Sequence, residues 1–177
     1  MVCSPLDRAV QTAEPIAFAA GIELLTDVRL TEWMLVTRWA GARWVDLPTR
    51  FPGEVEAYLA HPADLDFTPE TISEVAARME SVVVDLGAKH SGGTAVIVSH
   101  QDPIQALRLM LTGRSLSELQ IDKPTHGCVI TLTAEHSGWA ETVSWIPEVK
   151  SSPFPPAGPP IHTHRTPAGQ RHPSTNS

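Results

Sequence analysis

Ala95-Val96-Ile97-Val98-Ser99-His100-Gln101-Asp102-Pro103 is the stretch that decides the fold. Four small or β-branched apolar residues run into Ser99 and His100, and an amphipathic run, Ile104 to Leu111, follows. The pattern predicts a buried strand, a tight turn and a helix with Asp102 as N-cap and Pro103 in its first position. In an open α/β sheet, side chains at the carboxyl end of a strand face the ligand crevice. The helix start beside them offers unpaired N–H groups and a partial positive charge, which suits an anion. His100 is therefore a candidate phosphate contact.

Upstream, Thr68-Pro69-Glu70 marks a helix start, and Ile72, Val75, Ala76, Met79, Val82, Val83 and Leu86 hold one helical face to about His90. Ser91-Gly92-Gly93 stops that helix. Helix, glycine turn, strand, turn, helix is a β/α alternation, so the expected class is α/β with a three-layer, mostly parallel sheet flanked by helices. Downstream, Cys128 to Thr133 and Trp139 to Ile146 flank Ser137-Gly138 and predict a hairpin. Ser115 and Glu118 fit a capping box ahead of a short helix.

At the start, Met1-Val2-Cys3 reads as the end of a strand. Ser4 and Pro5 then suggest an N-cap and first helical residue, with an apolar stripe through Ala9, Ala13, Ile16 and Ala17 that stops at Gly21. Pro15 should kink or split this helix. Arg8 lies one turn in, at the positive end of the helix, where a cation is mildly unfavourable unless an anion binds there. A short strand is expected at Ile22 to Leu25. Trp33, Trp39 and Trp44, with Arg38 and Arg43 between them, show no clean period and read as a loop or lid packed by aromatics, or as simple core. Glu54 to Ala60 reads as a short helix, and residues 62–68 as a loop.

Composition narrows the function. The chain of 177 residues carries a net charge of −7, and Lys150, Arg165 and Arg171 are the only charged residues after Glu148. An acidic body is a poor footprint for nucleic acid or an anionic membrane, but leaves room for a small anionic substrate in a local basic pocket. Cys3 and Cys128 form no metal-binding pattern, so no metal or other cofactor is expected. With no secretory leader and no long apolar run, a cytoplasmic location is expected. Residues 1–149 are expected to form one domain. Residues 151–177 hold seven of the sixteen prolines, so 150–177 is expected to be a disordered tail.

Three separate stretches together resemble the histidine phosphatase superfamily, the phosphoglycerate-mutase-like enzymes. They are Cys3-Ser4-Pro5-Leu6-Asp7-Arg8-Ala9-Val10-Gln11-Thr12-Ala13, Arg29-Leu30-Thr31-Glu32, and Val98-Ser99-His100. The resemblance implies a phosphomonoester hydrolase or phosphomutase that works through a phosphohistidine intermediate. It implies that Arg8 and His100 hold phosphate oxygens, that Glu32 moves the proton of the leaving group, and that the region from Trp33 to Asp66 governs the substrate. Ser4 and Gln101, which flank these residues, are candidate substrate-binding residues; Gln101 stands where the family often has glycine. The family's nucleophile lies in an Arg-His-Gly motif that ends its first strand. These 177 residues contain no Arg-His-Gly, so the expectation is a domain lacking that strand, truncated before the motif, and inactive by itself. The alternative is a non-catalytic, degenerate phosphatase fold that binds a phosphorylated ligand or partner. A hydrolase with Ser99 as nucleophile is disfavoured, because the elbow Gly-x-Ser-x-Gly is absent.

Overall fold

The computed structural model describes residues 1–148. In chain order its elements are β1 (Val2–Cys3), α1 (Asp7–Ala20), β2 (Leu25–Thr26), α2 (Leu35–Arg38), α3 (Leu47–Arg50), α4 (Glu54–Ala60), α5 (Ile72–Lys89), β3 (Ile97–Val98), α6 (Gln101–Leu111), β4 (Val129–Glu135) and β5 (Gly138–Trp145). The expected tail lies outside the described residues.

Three strands form a parallel sheet in the order β2-β1-β3. Val2 is paired with Leu25 on one side and Ile97 on the other, and Cys3 with Thr26 and Val98. Strand polarity alternates the two residues of β1. Val2 joins an apolar cluster with Leu30, Met79, Val82 and Leu107, so α5 and α6 cover that face. Cys3, pointing the other way, is fully buried, and α1 lies against β1 and β3 on that side. Helices on both faces of a parallel sheet give the three-layer α/β arrangement that the β/α alternation predicted.

A second cluster collects Trp33, Leu35, Trp39, Leu47, Tyr58, Ile72, Val75 and Ala106. α5 belongs to both clusters, through Val75 and Ala76 at its start and Met79 and Val82 a turn later. Trp33 and Trp39 are thus core residues, and Tyr58 packs on both at ring distances of 6.1 and 5.6 Å. Trp44 remains 55% exposed. The hairpin β4–β5 is a separate antiparallel sheet, held to α6 by the Arg108–Glu141 ion pair.

Several local expectations need correction. The strand predicted from Ala95 is ordered as strand only at Ile97–Val98 and is half-buried, with Val96 40% exposed; among the described residues the far edge of β3 has no partner strand. α6 begins two residues earlier than expected, with His100 as N-cap, because the Asp102 carboxylate is bound by Lys123 and Tyr58 rather than by its own helix. The N-cap of α1 is Leu6, not Ser4, since the Ser4 hydroxyl is used by His100. α1 continues through Pro15 without splitting. β2 falls at Leu25–Thr26, later than expected. α5 starts from Thr71, whose capping box with Glu74 outcompetes Thr68-Pro69. Ser115 caps only a short turn and accepts from Ser117, because Glu118 is paired with Arg114. Gly21, in the left-handed region at φ +63°, does end α1 by donating to the carbonyls of Ala17 and Phe18.

Candidate active site

The three stretches far apart in sequence meet at the carboxyl ends of β1 and β3. Ser4 directly follows β1, Arg8 is the second residue of α1, His100 ends the β3 turn, and Glu32 comes from the loop after β2. The Glu32 Oε2 atom lies 3.7 Å from Arg8 Nη2 and 3.7 Å from His100 Nδ1. The His100 ring is buried, and its Nε2 is 2.8 Å from the Ser4 hydroxyl, which also accepts the Leu6 N–H at 3.3 Å. Arg8 is different: its side chain is 58% exposed.

Burial lifts the Glu32 carboxyl to about 7, with the Asp102 charge adding to the rise and the Trp33 N–H and Arg8 opposing it. Burial, together with the charges of Arg8 and Arg78, pushes His100 down to about 4. At neutral pH the imidazole is therefore uncharged, and its approach to Glu32 is not an ion pair. A carboxyl that is half protonated near pH 7 can both give and take a proton. A neutral imidazole can donate one N–H to an anion.

The loop bearing Glu32 is held from several sides. Asp27 accepts the Arg29 N–H at 2.8 Å, and the Arg29 guanidinium reaches Ser81 and Asp85 on α5. The Ser99 hydroxyl donates to the Leu30 carbonyl at 2.8 Å, so it supports the loop, and among the described residues it shows no histidine partner. Arg78 donates to the carbonyls of Arg29 and Glu32, and Trp33 Nε1 to that of Glu70 at 2.7 Å. Trp33 N–H reaches Glu32 Oε1 at 3.0 Å.

At the start of α6, Asp102, Lys123 and Tyr58 form a buried group. Lys123 is ion-paired with Asp102 and donates to the Tyr58 hydroxyl at 2.6 Å. Burial opposes its charge, yet Asp102 and Tyr58 hold its pKa above the usual lysine value. This lysine offsets an acid that would otherwise repel an anion at the helix start. Gln101, a candidate substrate contact, donates its side-chain amide to the Pro124 carbonyl at 2.6 Å. Of the sequence candidates, Arg8, Glu32, His100 and Ser4 come together, while the Gln101 amide is turned to the 119–127 loop. Arg78, Tyr58 and Lys123 were not anticipated. Only the Asp27-x-Arg29 cap carried a local signal; Tyr58 reaches Asp102 across 44 positions and Arg78 the Arg29 carbonyl across 49. Among the described residues no group of three or more His, Cys, Asp or Glu could hold a metal ion, and no helix is long and apolar enough to cross a membrane. A cavity of about 180 Å³ elsewhere, between α6 and the hairpin, shares only Lys123 with this group.

Residues 1–145 match the sequence profile of the histidine phosphatase superfamily, branch 1. The chain belongs to this superfamily. It is 28% identical over 116 residues to phosphoserine phosphatase 1 of Hydrogenobacter thermophilus, covering 65% of this chain and 54% of that protein. It is 36% identical over 119 residues to an uncharacterised protein of Mycobacterium tuberculosis, covering 66% of this chain and 56% of the other. The chain thus spans little more than half the length of these curated relatives. Among solved structures, it is similar to a mycobacterial glucosyl-3-phosphoglycerate phosphatase complexed with VO3, with a TM-score of 0.70 and 25% identity over 81% of this chain and 73% of that one. YhfR of Bacillus stearothermophilus shares the fold, with a TM-score of 0.73 at 21% identity over 81% of this chain and 71% of that one.

Proposed function

We propose a phosphomonoester hydrolase or phosphomutase that acts in the cytoplasm on a small phosphorylated substrate through a phosphohistidine intermediate. One observation carries the reading: Arg8, Glu32 and His100 converge within 3.7 Å contacts from three distant stretches. The names of relatives, a phosphoserine phosphatase and a glucosyl-3-phosphoglycerate phosphatase, support the substrate class.

A histidine nitrogen attacks phosphorus, the ester P–O bond breaks, and the leaving alkoxide takes the proton of Glu32. Water then attacks phosphorus, Glu32 takes its proton, and the P–N bond breaks as the histidine nitrogen leaves. Arg8 and His100 bear on the non-bridging oxygens, where charge develops. In the tautomer in which the Ser4 hydroxyl donates to His100 Nε2, Nδ1–H faces the phosphate. The attacking histidine is not His100, whose ring is engaged in this way. It belongs to an Arg-His-Gly motif outside these 177 residues. The free edge of β3 supports that placement, since a further strand laid parallel along it ends beside Ser99 and His100.

Absence of Arg-His-Gly from the sequence favours a second reading, a non-catalytic fold that binds a phosphorylated ligand or partner. An assay separates the two. The 177-residue chain should bind inorganic phosphate without hydrolysing a chromogenic phosphate ester. A chain extended by the upstream in-frame codons, with a strand ending Arg-His-Gly, should hydrolyse it, and Glu32→Gln should slow poor leaving groups most. Turnover by the 177-residue chain would refute the missing nucleophile. A stop codon directly upstream of Met1, or an extended chain that binds phosphate without turnover, would leave the binding reading.

A further inference from the structure

We propose that Arg78 is a positioning residue for Glu32: its guanidinium holds the backbone that carries the carboxyl, leaving the carboxyl itself to the site. The inference rests on Glu32 being the group that moves the proton, as proposed above.

Arg78 lies in the second turn of α5, largely buried, and forks onto Glu70, with Nε 2.6 Å from Oε1 and Nη2 3.2 Å from Oε2. Its remaining donors point the other way. Nη1 reaches the Arg29 carbonyl at 2.6 Å and Nη2 the Glu32 carbonyl at 3.2 Å. These carbonyls lie in and just after the single helical turn Val28–Leu30, too short to satisfy its own last acceptors. A planar five-donor group can serve a carboxylate on one side and two carbonyls on the other; an ammonium cannot keep both. The neighbouring Leu30 carbonyl is served by Ser99, and the Glu70 carbonyl by Trp33. The loop is therefore fixed by its backbone. The carboxyl accepts a hydrogen bond from the adjacent Trp33 N–H and keeps Oε2 toward Arg8 and His100.

Two effects of Arg78 can be told apart. Glu32 faces Arg8 from α1, His100 and Asp102 from the start of α6, and Lys123 from the loop before β4; burial is the first cause of its rise, and Arg78 meets it at the backbone carbonyl. The same charge does help to keep His100 neutral, alongside burial and Arg8, while Glu32 also faces that ring. Arg78 acts on Glu32 through place and on His100 through charge.

The test uses the 177-residue chain with isotope-labelled carboxyl and imidazole groups, following the titration of Glu32 and His100 by NMR. Arg78→Lys keeps the charge and loses the fork. It should drop the Glu32 midpoint by roughly one unit or more toward its ordinary value as the carboxyl meets water, with His100 unmoved. Arg78→Gln should lower Glu32 and raise His100. Glu70→Gln, which loosens the fork and leaves the arginine, should lower Glu32 by less. A folded Arg78→Lys variant in which Glu32 titrates as in the parent chain would overturn the proposal, as would one in which both groups move together. Failure of both Arg78→Lys and Glu70→Gln to fold would overturn it too, by assigning Arg78 to the core. These titrations do not depend on catalysis. Unchanged ester hydrolysis by Glu32→Gln in the extended chain would sink the proton-transfer reading and leave the positioning intact.

Discussion

Glu32 and Arg8 face each other across 3.7 Å, yet the chain treats them in opposite ways. Glu32 sits on a loop whose carbonyls are bound by α5 and by the end of β3. Arg8 projects from the exposed start of α1, more than half in water, and Glu32 is its one ion-pair partner among the described residues. The difference teaches which parts of the site the fold prepares in advance and which it leaves for the ligand to organise. A group that exchanges protons needs a fixed environment to hold its pKa near the working pH. A guanidinium that grips a dianion can be recruited when the dianion arrives.

The largest effect should come from undermining the fixed side. Leu30 is fully buried between the sheet and α5–α6, so Leu30→Ala should cost about 2–5 kcal/mol in urea unfolding and weaken phosphate binding as well. A cost under about 1 kcal/mol would mean that this loop does not depend on its apolar anchor.

Next comes the pH dependence. Glu32 moves from 4.5 to about 7 on folding, and His100 from 6.5 to about 4. Between pH 4.5 and 7 the unfolded chain releases the Glu32 proton while the folded chain keeps it, so this group lowers stability as pH rises. The stability tied to neutral His100 is full above pH 6.5 and is lost as pH falls toward 4. The two slopes oppose each other between 4.5 and 6.5 and nearly cancel. Glu32→Gln should uncover stability that climbs from pH 4 to 6.5 by as much as about 3 kcal/mol. His100→Asn should uncover a fall of similar size from pH 4.5 to 7. Flat profiles in both variants would refute the paired shifts.

Arg8→Ala should do the reverse of Leu30→Ala. Loss of a charged hydrogen bond to phosphate, about 1.5–3 kcal/mol, should raise the Kd for inorganic phosphate by roughly 10- to 100-fold. Unfolding stability should stay within about 0.5 kcal/mol, as for other exposed positions. Calorimetry showing equal losses of binding and stability would erase the contrast. The smallest effect is expected from Tyr58→Phe, about 1 kcal/mol of stability, because Lys123 and Asp102 still pair and phosphate affinity should hold.

The sequence made the periodic parts legible. The stripe from Ile72 to Leu86 placed α5, Glu54 to Ala60 gave α4 with its observed limits, and the two alternating runs gave the hairpin. Glycine chemistry located the end of α1. Arg8, Glu32 and His100 were singled out because one long stretch and two short ones occur together in order, and the structure brings these three side chains into proximity. What stayed hidden was set by contacts across the chain. Asp102 looked like a cap by its position before Pro103, but Lys123 and Tyr58 claim its carboxylate. Ser4 looked like a cap for α1, but its hydroxyl serves a histidine 96 positions away. Arg78 lies off the apolar stripe of a long helix, and nothing near it in sequence announces the two carbonyls it binds.

α5 has a consequence for the kinetics of opening. Like α6, it contributes to both apolar clusters, and it also supplies the guanidinium that grips the Glu32 loop. An irregular segment normally breathes on its own, exchanging its amide hydrogens long before the core does. Here the residues from Arg29 to Trp33 cannot swing out unless that helix releases them, and the helix cannot move without disturbing both clusters. Their amides should exchange on the timescale of α5 itself, while those around Trp44 exchange early. A short, non-repetitive stretch of chain thereby inherits the lifetime of the longest helix among the described residues.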